Sequence, residues 1–274
     1  MEQLIRISQL EYQNGPGVGS HQLMDVLKSP KTYYYKHILK REQLVETDAL
    51  RFGRIVHSAV LEPEDFKQRY RVRPKFDRRT KQGKEDSLAW DATCSPRDFI
   101  IEPEESETLL GMIESVKSHP RARSLLSNGL AEMSGYFTVD DTVCRIRPDF
   151  LVEDKDRVYI VDLKTTRDAS LGAFSRNVFS YKYFLQAALY HDGIQKITGK
   201  PTVFVFMAME KTLPYEIGLY VADETVIECG RAAYKKALSI LKTCEETQKW
   251  PGLSEEFVNL SMPSWALMEW GPHE

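Results

Sequence analysis

Val161-Asp162-Leu163-Lys164 alternates apolar and charged side chains. On an extended strand, Asp162 and Lys164 therefore project from one face and Val161 and Leu163 from the other. Arg147-Pro148-Asp149 lies upstream (162 − 149 = 13), across the polar turn Glu153-Asp154-Lys155-Asp156. A short connection of this kind lets Asp149 sit beside Asp162 if the hairpin register is favourable. Two carboxylates and one ammonium would then converge. Together they form a kit for phosphodiester chemistry: an oxygen cage for Mg²⁺, which polarises a phosphate and acidifies a water, and a cation near the attacking oxygen. Lys164 would orient the water or stabilise the charge developing on the phosphate, and Leu163 could add only its backbone carbonyl.

A half-exposed strand also reads D-x-K by chance, so the motif alone leaves both readings open. Two further segments offer polar groups to the same site. Gln186 and Tyr190 stand four apart, on one face of an expected helix. His57 is ionisable on an otherwise apolar face, a pattern that a hydrogen-bonded core histidine produces equally well.

The elements that must carry these groups follow from periodicity and turn chemistry. Ser20 is expected to cap a helix ending at Lys28, and Ser29-Pro30 to start another that carries Tyr33, Tyr34 and Tyr35, aromatic residues suited to packing or to base stacking. A helix over Asp48–Leu61 places Leu50, Gly53, His57, Val60 and Leu61 on one face. Residues 73–86, broken by Pro74 and Gly83, are expected to be a long loop bearing Arg78, Arg79, Lys81 and Lys84. Those cations suit phosphates, or are simply solvated and offset by Asp77, Glu85 and Asp86. A helix from Pro103 to about Ser118 precedes three strands, 134–140, 143–152 and 158–165, expected as an antiparallel meander. A long helix over roughly 173–197, strands at 202–209 and 215–221, and a helix over about 223–246 complete a mixed α/β fold with a central sheet flanked by helices.

The 274 residues are 42% hydrophobic and 28% charged, enough for a sizeable core. No Pro/Gly/Ser-rich linker divides them, so one unit is expected: a helical part to about 125, a core over about 126–250 and a tail over 251–274. The net charge of −3 does not announce a nucleic-acid binder, so any DNA affinity must come from local clustering. Cys94, Cys144, Cys229 and Cys244 form no CxxC pair, and neither a signal-like apolar run nor a stretch of bilayer-spanning length is present, which fits a soluble protein of the reducing cytoplasm.

R-P-D, then V-D-L-K-T-T, then Q-x-x-x-Y together resemble the PD-(D/E)xK nuclease superfamily, in particular its RecE-type exonucleases. Gly53–Phe66 resembles that group's histidine helix, Arg71–Asp86 its basic loop and Leu260–Ala266 its C-terminal signature. The resemblance implies a restriction-endonuclease-like core, with His57, Asp149, Asp162 and the Leu163 carbonyl as ligands of one or two Mg²⁺ ions, Mn²⁺ substituting. It makes Lys164 the catalytic lysine and places Gln186 and Tyr190 on the DNA side of the site. Glu132 falls where related nucleases carry an acidic residue near the metals, although a surface glutamate reads the same way. The D-x-K carries aspartate where many members have glutamate, a variation the pattern permits. The implied activity is processive 5′ to 3′ digestion of one strand of linear duplex DNA, leaving a 3′ strand for a RecT-like single-strand annealing protein. A ring-shaped homotetramer and a bacterial or phage source are implied with it. Endonucleases and resolvases share the metal kit. A non-catalytic DNA-binding scaffold on the same fold is a second alternative, against which the intact Asp149, Asp162 and Lys164 argue. The cysteine spacings of 50, 85 and 15 offer no recognisable cluster arrangement, which argues against the superfamily's iron–sulfur-bearing members.

Overall fold

A computed structural model describes residues 3–41, 47–263 and 266–268. In chain order the elements are β1 (Gln3–Ile5), α1 (Gln9–Asn14), α2 (Ser20–Lys28), α3 (Pro30–Tyr33, continued by a π-helical turn, Tyr34–Ile38), α4 (Asp48–Leu61), α5 (Pro63–Arg69) and β2 (Tyr70–Val72). Next come α6 (Lys81–Asp91), β3 (Phe99–Ile101), α7 (Pro103–Ser118), α8 (Pro120–Leu125), β4 (Leu130–Ala131), β5 (Ser134–Val139) and β6 (Thr142–Ile146). The chain continues through β7 (Phe150–Glu153), β8 (Val158–Thr166), α9 (Leu171–Ser180), α10 (Tyr183–Thr198), β9 (Thr202–Glu210), β10 (Ile217–Val221) and α11 (Glu224–Thr247).

The central sheet runs β10-β9-β8-β7-β4. It is mixed, because β8 and β9 pair in parallel through the α9–α10 crossover while the other neighbours are antiparallel. Period-two side-chain alternation divides the core between its two faces. Val158 and Ile160 of β8, with Phe204, Phe206 and Ala208 of β9, pack with residues of α2, α10 and α11. Val161 and Leu163, with Met207 and Met209, pack with residues of α4 and α7. This is the expected central mixed sheet flanked by helices.

The expected meander is corrected. Residues 143–152 are not one strand: the ladder stops at Ile146 and resumes at Phe150, and Pro148 between them has no N–H to donate. β5 and β6 therefore pair with β1 in a separate three-stranded sheet, and only β7 and β8 form the hairpin of the central one. The expected 173–197 helix is likewise two helices, broken at Tyr181 and Lys182, with Lys182 left-handed at φ 55°. The loop over 73–86 ends early, because the Thr80 hydroxyl accepts the Gly83 N–H and caps α6. Lys81 and Lys84 are thus helical. Gly83 is required there, since a Cβ would lie 2.1 Å from the Asp77 carbonyl oxygen.

Three smaller readings also change. α2 is capped by Gly19, whose N–H donates to the Gln22 side chain at 2.9 Å, and Ser20 is buried in its first turn. The packed face of α4 is Phe52, Ile55, Val56 and Ala59, with Leu50 exposed. Tyr33 and Tyr34 stack on Trp250, with ring centroids 5.7 and 5.0 Å apart, which selects the packing role for those two. In the C-terminal signature, positions 264 and 265 lie outside the described residues. The four cysteines are free, and among the described residues no helix is long and apolar enough to cross a membrane.

α10 and α11 are locked by a polar cluster. Asp192 accepts two hydrogen bonds from Arg231, at 2.7 and 2.6 Å, one from the Tyr234 hydroxyl at 2.6 Å, and faces His191 Nδ1 at 2.9 Å. Burial alone would raise its pKa, but the hydrogen bonds from Arg231, His191 and Tyr234 outweigh burial and hold it well below the usual carboxylate range. A depressed folded-state pKa contributes stability that is present above the unfolded value of about 3.9 and is lost as pH falls through the folded one. Asp192→Asn is accordingly expected to cost about 2–3 kcal/mol at pH 7. Urea unfolding at stepped pH is expected to show its deficit relative to wild type narrowing only below about pH 4.

Candidate active site

The β7–β8 register sets the geometry. Phe150 faces Val161 and Leu151 faces Ile160, so one step beyond the ladder Asp149 stands opposite Asp162. Directly opposed residues of an antiparallel pair point to the same face. Asp149 is anchored there because its Oδ2 accepts the Leu163 N–H at 2.8 Å. Asp162 is fully buried, and two residues along the same face Lys164 turns its Nζ to within 2.6 Å of Asp162 Oδ2. Lys164 is itself only 16% exposed and lies 5.0 Å from the Tyr183 ring centroid.

His57 arrives from α4 with Nδ1 3.5 Å from Asp149 Oδ2. Glu132 sits between β4 and β5 at φ 54°. Its N–H donates to the Asp149 carbonyl at 3.0 Å, and its Oε2 accepts from Arg147 Nε at 2.7 Å. Ligand atoms of His57, Glu132 and Asp149 all lie within 4.8 Å of one another. Glu132 is thus part of the constellation and is not a solvated surface glutamate. Gln186 and Tyr190 are both 5% exposed on α10, and Asp149 and Asp162 lie within electrostatic reach of Tyr190, whose phenol burial pushes up. They form a closed wall behind the carboxylates.

The basic segment stands differently. Arg79 pairs with Asp77 at 2.9 Å and Lys81 approaches Glu85 at 3.8 Å, so two of the four cations are offset by their own neighbours. Arg78 and Lys84 are exposed on the same segment.

Electrostatically the site has an excess of negative charge held out of water. Burial drives Asp162 up to about 6 against the pull of Lys164. Burial also raises Asp149, against Lys164 and the Leu163 N–H, and raises Glu132, with Asp149 adding to the effect and Arg147 opposing it. Burial and then Lys164 push His57 down, towards the neutral imidazole that ligates metals. Asp162 Oδ2 meets the Lys164 ammonium without an aligned hydrogen bond and Oδ1 has no hydrogen-bond partner, so the buried carboxylate is under-satisfied, which is costly. Three carboxylates, one of them with an unpartnered oxygen, together with a neutral imidazole and a carbonyl fit a divalent cation of the hard or borderline class.

Sequence reasoning passed over three contributors. Arg147 holds Glu132 and also donates to the Ser134 hydroxyl and the Ile7 carbonyl, tying the site to the N-terminal segment. The Tyr12 ring of α1 lies 5.3 Å from the Arg145 guanidinium and 5.6 Å from that of Arg147, and burial pushes its phenol up to about 12. Both contacts are long-range and leave no local pattern. Tyr183 did leave one, since it stands three residues before Gln186 and so shares its face of α10.

No curated protein matches the chain. A crystal structure of an exonuclease candidate from Eubacterium rectale superposes with a TM-score of 0.64 at 14% identity, covering 98% of this chain and 100% of that one, a likeness of fold alone. A structure described as SSO0001 covers 79% of this chain and 85% of its own at 14% identity, but its TM-score of 0.26 carries no argument. Residues 19–260 match the family described as PDDEXK-like domain of unknown function (DUF3799). That span includes every residue of the constellation, and the chain belongs to this PDDEXK-like family and has its nuclease fold.

Proposed function

We propose that the chain is a Mg²⁺-dependent exodeoxyribonuclease that resects linear double-stranded DNA. The observation that carries the reading is the meeting of Asp149, Asp162 and Lys164 at one end of the β7–β8 hairpin, with His57 and Glu132 closing the ligand set. Asp149, Asp162, His57 and the Leu163 carbonyl would hold the cation, and Glu132 a second one or its water. When bound, the cation supplies Lewis-acid polarisation of the phosphate and acidifies water. Lys164 holds the attacking water through its N–H donors and places positive charge where the phosphate gains negative charge. The wall of Gln186 and Tyr190 keeps bulk water from the back of the carboxylates, which strengthens each charge interaction inside. Mg²⁺ follows from the oxygen-rich set, and Mn²⁺, which tolerates an imidazole, substitutes.

The likeness to RecE-type exonucleases supports a 5′ to 3′ polarity, a 3′ single-stranded product taken up by an annealing protein, and a ring-shaped homotetramer. A ring would reconcile a net charge of −3 with a polyanionic substrate by turning basic residues, Arg78 and Lys84 among them, into the channel. The deciding experiment offers purified protein an end-labelled linear duplex and a covalently closed circle, each with Mg²⁺ and with a chelator. Loss of the linear duplex alone, and only with Mg²⁺, is the expected result. Cutting of the circle would replace the exonuclease reading by an endonuclease or resolvase, and no cutting of either would leave a DNA-binding scaffold.

A further inference from the structure

The corner between α9 and α10 exposes two aromatic side chains, Phe179 (76%) and Tyr181 (60%). Each is backed by a second ring. Phe179 stacks on Phe184, with centroids 6.4 Å apart and planes at 14°, and Tyr181 lies 5.5 Å from Tyr183. Tyr183 is in turn the ring beside Lys164 Nζ. A line of ring contacts thus runs from the candidate catalytic lysine through Tyr183 to Tyr181, with the Phe179–Phe184 pair on the same α9–α10 corner. The surrounding segment is basic: Arg167, Arg176 and Lys182 stand against the single acid Asp168, in a chain whose net charge is −3. Planar apolar surface flanked by cations complements a base joined to its phosphate, because every base presents a π-face and every nucleotide a negative charge.

We propose that Phe179 and Tyr181 form a stacking platform for unpaired nucleobases of the strand whose phosphodiester is held at Asp149, Asp162 and Lys164. The platform rests on the nuclease reading above and extends it, since it makes the frayed single strand beside the cleavage point a ligand in its own right. Contact with Phe184 and Tyr183 restricts the two rings on one side, which lowers the side-chain freedom lost when a base arrives.

The test measures binding of the full chain, in chelator, to fluorescein-labelled oligothymidylate of about twelve nucleotides and to an abasic oligomer of equal length and charge, by fluorescence anisotropy. Wild type is expected to bind oligothymidylate about tenfold more tightly than the abasic strand. The double variant Phe179→Ala/Tyr181→Ala is expected to bind both strands at the wild-type abasic level, whereas Phe179→Trp/Tyr181→Phe retains the preference. Equal wild-type affinity for the two strands, absence of binding to either, or a double-alanine variant that keeps the preference would each overturn the platform. The readout needs neither metal nor hydrolysis. A wild type that fails to cut DNA yet prefers bases would therefore count against the nuclease reading alone, and an active wild type without base preference against the platform alone.

Discussion

Asp162→Asn is expected to fold, and to hydrolyse linear duplex DNA at less than about one-thousandth of the wild-type rate. The substitution is isosteric, so neither cavity nor overpacking arises at a position with no solvent exposure. What it removes is the charge. In the wild type that charge is buried, pushed up to about 6, and balanced only by the Lys164 ammonium at 2.6 Å, an arrangement that a divalent cation would complete. A neutral amide offers the cation one weak oxygen and aims N–H donors into its place. Thermal unfolding separates this effect from a folding defect. Saturating Mn²⁺ is expected to raise the wild-type melting temperature by about 5–10 °C, from the linkage of binding to folding, and to leave Asp162→Asn nearly unmoved. An Asp162→Asn protein that digested DNA at the wild-type rate would remove the assigned site altogether.

Asp162 and Lys164 were legible because β8 obeys a two-residue period so strictly that Ile160 and Val161 fall into opposite core clusters. Asp149 was legible as a candidate because the polar turn makes a hairpin, although the register that puts it opposite Asp162 comes from the structure. His57 was singled out as an ionisable group on an apolar helix face, and the family resemblance gave it a ligand role, but the face was misplaced: the packed face of α4 runs through Phe52, Ile55, Val56 and Ala59, while His57 leaves the helix beside it, 26% exposed in its side chain, to meet Asp149. The partition into two sheets was hidden, since residues 143–152 read as one strand and only the tertiary placement of β1 beside β5 draws β5 and β6 away. The break at Lys182 was hidden for another reason. A lysine in the left-handed region carries none of the glycine or proline signals by which helix ends are read. Arg147 was in plain view inside R-P-D, yet its partners Glu132, Ser134 and Ile7 come from segments whose approach no local spacing encodes.

Lys164→Met divides metal binding from chemistry where Asp162→Asn cannot. Methionine keeps much of the stem that packs by the Tyr183 ring but carries no charge and no donors. Removing one partner of a buried pair leaves Asp162 unbalanced, so the metal-free variant is expected to be less stable than wild type by about 3–5 kcal/mol. Mn²⁺ then stands in for the missing cation, and the metal-induced rise in melting temperature is expected to be at least as large as in wild type. DNA hydrolysis in Mn²⁺ is nonetheless expected to fall about 10²–10³-fold, because the group that holds the water and stabilises the phosphate charge is gone. Lys164→Arg is expected to rescue stability without rate: a planar guanidinium can pair with Asp162, but it cannot put a compact ammonium at the same point beside a ring whose centroid is 5.0 Å away. If Lys164→Met instead cut DNA within about threefold of wild type while losing stability, the lysine would be a counter-ion for Asp162 and nothing more. The attacking water would then have to be held by another of the site's donors, with Tyr183 and Tyr190 the candidates on α10.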